Sequence, residues 1–154
     1  MAAEIRNMEV QQVLFVRRTG AYGQAAKQAF GALCAFAGPR GLLAPPARMI
    51  GISHDDPQVT DEDKMRYDAC VTIEKPVEPQ GEIASKTIAG GRYAVFRHLG
   101  PYENFQQTYD GIFSDWLPRQ GEDLRDEPGF ELYLNAPGQV PPKELITEIW
   151  IPLR

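Results

Sequence analysis

Apolar residues along this chain follow two periods, and segments of the two alternate. Residues 12–18 and 92–98 are rich in Val, Phe and Tyr and read as strands, each ending in a Gly-x-Tyr turn. After the second turn, Phe105, Tyr109, Ile112, Phe113 and Trp116 stand at i, i+4, i+7, i+8 and i+11, one apolar stripe at helical period. Ala25, Ala29, Ala32, Leu33 and Phe36 keep the same phase in the first half with less bulk. Gly38-Pro39 and Pro118 are expected to stop the two helices, because proline has no N–H to continue the ladder. Beyond each helix come a polar connection, a strand (48–54 or 128–134), a turn closed by Pro57 or Pro137, and a last strand (65–73 or 145–153).

This order is written twice. A shift of 80 residues lays Val13 to Tyr22 on Tyr93 to Tyr102 without a gap, and Arg17, Gly20 and Tyr22 meet Arg97, Gly100 and Tyr102. Gly31 meets Gly111, Gly41 meets Gly121 and Pro57 meets Pro137. Apolar positions stay in register as well: Phe36 falls on Trp116, and Val71 and Ile73 fall on Ile151 and Leu153. The chain therefore reads as one α+β domain, 1–154, holding two β-α-β-β copies at about 5–75 and 85–154. The stretch 74–91, with Pro76, Pro79, Gly81, Gly90 and Gly91, links the copies, and its Glu82 to Ile88 portion can add a strand. Antiparallel sheets with the helices on one face are the expected outcome.

Composition narrows the function classes. Against 21 acidic residues stand 16 basic ones, a net charge of −5, which argues against direct DNA binding because phosphate neutralisation needs a basic face. The apolar runs Val13 to Val16 and Ala32 to Ala37 fall far short of the roughly 20 residues of a spanning helix. No secretory signal is visible at the N-terminus, so a cytoplasmic protein without membrane contact is expected. Cys34 and Cys70 lack a CxxC partner and read as small buried hydrophobes. No cofactor or metal is expected.

Alternation along the last strands makes two acids conspicuous. Ile149, Ile151 and Leu153 share one parity and should pack on the helix, which leaves Ile146, Glu148 and Trp150 on the opposite face. In the first copy, Tyr67, Ala69, Val71 and Ile73 take the helix face and Arg66, Asp68, Cys70 and Thr72 the other. Asp68 and Glu148 are thus equivalent, both mid-strand where carboxylates are disfavoured without a use. An anion at the floor of an apolar cleft suits lipophilic cations, and a carboxylate so placed also suits general acid or base work. The plainer reading leaves Glu148 on a solvated sheet face or pairs it with an arginine such as Arg66.

Several of these segments resemble the GyrI-like small-molecule-binding domain family. They are Gly91-Arg-Tyr-Ala-Val-Phe-Arg-His-Leu-Gly-Pro-Tyr102, Gly129-Phe-Glu-Leu-Tyr-Leu-Asn135, Thr147-Glu-Ile-Trp-Ile-Pro-Leu153 and Lys64-Met-Arg-Tyr-Asp-Ala-Cys-Val71. The family includes stand-alone DNA gyrase inhibitors and the effector-binding domains of AraC-type and MerR-type regulators. The resemblance implies pseudo-twofold symmetry and a ligand groove between the halves. It also implies a hydrophobic, cationic small-molecule ligand met by Glu148 and Trp150, with Tyr67, Phe96 and Tyr133 as further lining; Asp68 joins this set as the strand equivalent of Glu148. Some relatives resemble hydrolases of strained cyclopropane toxins, which would make Glu148 catalytic. Gyrase, or a separate DNA-binding regulator, is the implied macromolecular partner, since no DNA-binding segment is visible in this chain.

Other constellations read more simply. His54-Asp55-Asp56-Pro57 is turn chemistry, because neighbours on a strand point apart. His98 reads as a strand-end polar residue, and Tyr22 and Tyr102 as packing at the strand-to-helix turns. A serine elbow, a P-loop and GxGxxG are all lacking. The hydrophobic stripes are consumed by the internal core, which favours a monomer.

Overall fold

The computed structural model describes residues 2–154. The chain divides into two compact units, one formed by residues 2–8 with 91–154 and the other by 9–90.

In the second of these, strand β2 (Gln11–Thr19) leads into helix α1 (Tyr22–Ala37), and β3 (Met49–Ser53), β4 (Arg66–Thr72) and β5 (Ala84–Ile88) follow. The sheet runs β3-β4-β2-β5, with every neighbour antiparallel. Helix α1 lays Ala25, Ala29 and Leu33 on Leu14, Val16, Ala69 and Val71. Small alanines at the contact let the helix approach closely, and the larger Phe30 and Phe36 close the sides. The helix ends at Gly38, whose N–H bonds to the Cys34 carbonyl, as the sequence indicates.

The other unit repeats this plan with its own order. Strand β1 (Glu4–Met8) pairs with β6 (Gly91–Leu99), β6 with β8 (Ile146–Pro152), and β8 with β7 (Phe130–Tyr133), all antiparallel. Its helical layer has three parts: α2 (Phe105–Gly111), a π-helical turn (Ile112–Trp116) and α3 (Leu117–Gln120). Ile112 and Trp116 pack on Phe96, Ile149 and Ile151, with the Trp116 and Phe96 rings edge to face at 5.0 Å.

Element bounds recur at the 80-residue offset: Gln11–Thr19 with Gly91–Leu99, and Arg66–Thr72 with Ile146–Pro152. Two expectations need correction. Strand β1 lies outside the expected elements; Glu4–Met8 has too few apolar residues to announce a strand that is made by long-range pairing with β6. Pro118 does not stop the second helix. It sits in the first turn of α3, where its missing N–H costs little, and the helix runs to Gly121 in the left-handed region at φ 65°. Among the described residues no helix is long and apolar enough to cross a membrane.

Candidate functional site

Register sorts the candidate residues onto two sheet faces. Glu148 lies opposite Arg97 and Trp150 opposite Val95, on the face away from the helices. Both are buried, and Trp150 donates its indole N–H to Glu148 at 3.2 Å. Tyr93, Phe130 and Trp150 form an aromatic wall there, with centroids 5.4–5.6 Å apart. The carboxylate is already compensated. Arg6 reaches it at 3.4 Å while lying over the Trp150 ring, and Arg97 stands at 3.9 Å. Arg66 instead pairs with Asp55.

Asp68 occupies the corresponding place in the other unit, opposite Arg17, and is fully buried. Arg17 grips it with two hydrogen bonds of 2.7 and 3.0 Å, His54 Nε2 donates at 2.7 Å, and Lys86 adds its ammonium. Desolvation by itself would raise this carboxyl, but the His54, Arg17 and Lys86 donors outweigh it and hold Asp68 well below the usual carboxylate range. His54, read from the sequence as part of a turn, is therefore a partner of the buried acid.

The remaining expected lining residues lie on helix faces. Phe96 is buried beneath Trp116, and Tyr67 packs between Tyr22 and Phe30. Phe96 does not share a face with Glu148, nor Tyr67 with Asp68, as strand alternation requires. Tyr133 also points to the helix side, where it meets a carboxylate that the sequence did not single out.

That carboxylate is Glu131. Strand β7 pairs it with Ile149, a helix-facing core residue, so Glu131 is carried under α2. It is buried, and its oxygens accept from two neutral donors, the Tyr109 hydroxyl at 2.7 Å and the Tyr133 hydroxyl at 2.6 Å. No cationic side chain pairs with it among the described residues. Burial pushes its pKa up, and the two tyrosine bonds pull the other way without cancelling the effect.

Partly exposed aromatic rings surround it. Tyr102 stacks on Phe105 at 5.1 Å and tilts against Tyr133 at 5.5 Å, and Phe105 meets Tyr109 edge-on. His98, expected to be a strand-end residue, is buried here. Its Nε2 donates to the Pro101 carbonyl, and its Nδ1 accepts from the Thr108 hydroxyl on α2. The strand thereby holds the helix that carries Tyr109. The repeat concealed Glu131, because the offset lands it on Gly51; the alternation Phe130-Glu131-Leu132-Tyr133 beside a helix-facing Ile149 was the available signal.

The model of the GyrI-like small molecule binding domain matches residues 1–154. The chain belongs to this family. Among curated relatives of this GyrI-like chain, the probable transcriptional regulator YgiV of Escherichia coli (strain K12) is 32% identical over 108 residues, 70% of this chain and 68% of that protein. EcmrR, solved in a complex with DNA, matches 99% of the chain with a TM-score of 0.85 at 20% identity, and the chain spans 57% of EcmrR's length. SAV2435, solved bound to tetraphenylphosphonium, matches with a TM-score of 0.62 at 20% identity, covering 100% of this chain and 94% of that one. At these identities the two structures establish a shared fold.

Proposed function

We propose that this GyrI-like domain binds hydrophobic organic cations, with Glu131 as the counter-charge and Tyr102, Phe105, Tyr109 and Tyr133 as the aromatic surround. The observation that carries the reading is a buried carboxylate held by neutral hydroxyls alone. An ionised carboxylate without a cation is costly away from water. A delocalised cation offsets that cost, because its charge is weakly hydrated and its surface is apolar. At about 5 Å and an effective dielectric of about 20, the attraction is roughly 3 kcal/mol. Each ring face adds roughly 0.5–2 kcal/mol through cation–π contact. Glu148 is the weaker candidate because Arg6 and Arg97 already occupy it. The tetraphenylphosphonium held by SAV2435 is a ligand of this chemical class on a related fold.

Occupancy of the site would then be the effector signal of a regulatory system, as the relationship to YgiV suggests. Calorimetric titration with tetraphenylphosphonium tests the binding step. Wild type and Glu148→Gln should bind alike, and Glu131→Gln should bind about 100-fold more weakly, the factor that roughly 3 kcal/mol represents. Unchanged affinity in Glu131→Gln would overturn the assignment. Loss in Glu148→Gln alone would move the site to the closing strand.

A further inference from the structure

The two buried strand acids invite comparison as internal controls. Arg6 and Lys86 occupy corresponding positions on β1 and β5, as do Arg97 and Arg17 on β6 and β2, and Glu148 and Asp68 on β8 and β4. Both edge-strand cations sit over an aromatic ring. Arg6 lies 5.5 Å from the Trp150 centroid, and Lys86 lies 4.4 Å from that of Phe15. The charge balance differs. Around Glu148, the two arginines face two acids, because Glu4 pairs with Arg6 at 2.7 Å. Around Asp68, Arg17 and Lys86 face one acid, and His54 supplies a further donor. The residue corresponding to Glu4 is Ala84.

Among the described residues one cation in this cluster is therefore uncompensated, although the chain as a whole carries −5. The neighbouring Asp55 and Arg66 neutralise each other through paired hydrogen bonds and leave the imbalance in place. The cluster is reachable from water: the side chains of Arg17, Lys86 and His54 are 43%, 25% and 17% exposed, and the acid beneath them is wholly buried. Asp68 fixes the three donors on one side. Further N–H groups of Arg17 Nη1 and Lys86 Nζ remain for a second acceptor. In the other unit, the molecule itself fills that second position with a carboxylate.

We propose that Arg17 and Lys86, with His54 beside them, form a binding site for a small organic carboxylate, which takes beside Lys86 the place that Glu4 takes beside Arg6. Asp68 is the positioning residue, and Ala84 keeps the place clear of the chain's own side chains. The proposal is independent of the cation site at Glu131.

The test uses the full chain with benzoate as probe, followed by NMR of the His54 ring and the Lys86 side chain. Benzoate should shift both sets of resonances saturably, whereas chloride at equal ionic strength should not. Lys86→Gln should weaken binding at least tenfold. Ala84→Glu, which supplies the missing internal carboxylate, should abolish benzoate binding and raise the Tm, with tetraphenylphosphonium affinity unchanged. Equal shifts from chloride, or benzoate affinity unaltered in Ala84→Glu, would overturn the site.

Discussion

Three buried acids on similar strands behave differently because their partners differ. Asp68 is ionised and gripped by cations, so its contribution to stability is fully present above the unfolded carboxylate value of about 4 and is lost progressively as pH falls from there through its much lower folded value. Asp68→Asn leaves Arg17 and Lys86 without their counter-charge and should cost about 3 kcal/mol at neutral pH. Urea unfolding at pH 7 and pH 3 should show the gap between variant and wild type narrowing in acid without closing, because Asp68 is still ionised in the folded state at pH 3. Glu131 has the opposite sign. Burial raises its pKa, so its contribution is present below about pH 4 and is lost as pH rises through the folded value. A bound cation favours the ionised form, and tetraphenylphosphonium should therefore bind more tightly as pH rises through that value, releasing a proton. Tyr133→Phe removes one donor to the anion, worth about 1 kcal/mol, and should move the midpoint of this pH profile up by roughly one unit. A profile unmoved in that variant would mean that the tyrosine does not stabilise the anion. Phe96 and Tyr67 show the complementary case, aromatic residues whose burial is explained by core packing.

At the scale of elements, the two helical layers diverge most. Helix α1 is continuous, and alanines bring it close to its sheet. Its counterpart is divided into α2, a π-helical turn and α3, and larger aromatic residues stand where α1 has alanines: Phe105 for Ala25 and Tyr109 for Ala29. Bulk at these positions lifts the helix and makes room for Glu131, which takes the place of Gly51. The C-terminus of α3 depends on Gly121, whose left-handed backbone a β-carbon penalises although no neighbour lies within 4 Å. Gly121→Ala should therefore cost about 1 kcal/mol through the backbone alone, visible as a lowered urea midpoint with an unchanged slope.

At the scale of the molecule, the chain crosses between its two units near residues 8 and 90, so neither unit is a simple half of the sequence. A fragment of residues 9–90 retains four strands and α1 and should unfold cooperatively in urea. A fragment of residues 1–80 carries β1 without β6 and lacks β5, and should not. Equal cooperativity would show that the edge strands contribute little. Much of this plan was legible in the residues. The strand and helix periods and the equivalence of Asp68 and Glu148 follow from spacing along the chain, because period 2 and period 3.6 dictate which side chains share a face; the family is read from motifs that resemble it, such as residues 147–153. The partnerships of the acids were not legible. Glu148 meets Arg6 across 142 positions and Asp68 meets Lys86 across 18, through edge strands whose pairing is set by the closing of the sheets. Glu131 looked ordinary until the register of β7 on β8 turned it under the helix. Sequence by itself determined the principal strands and helices and the faces they bury; tertiary structure decided the edge strand β1 and which buried charge is left uncompensated, because both depend on long-range pairing that local periodicity does not encode.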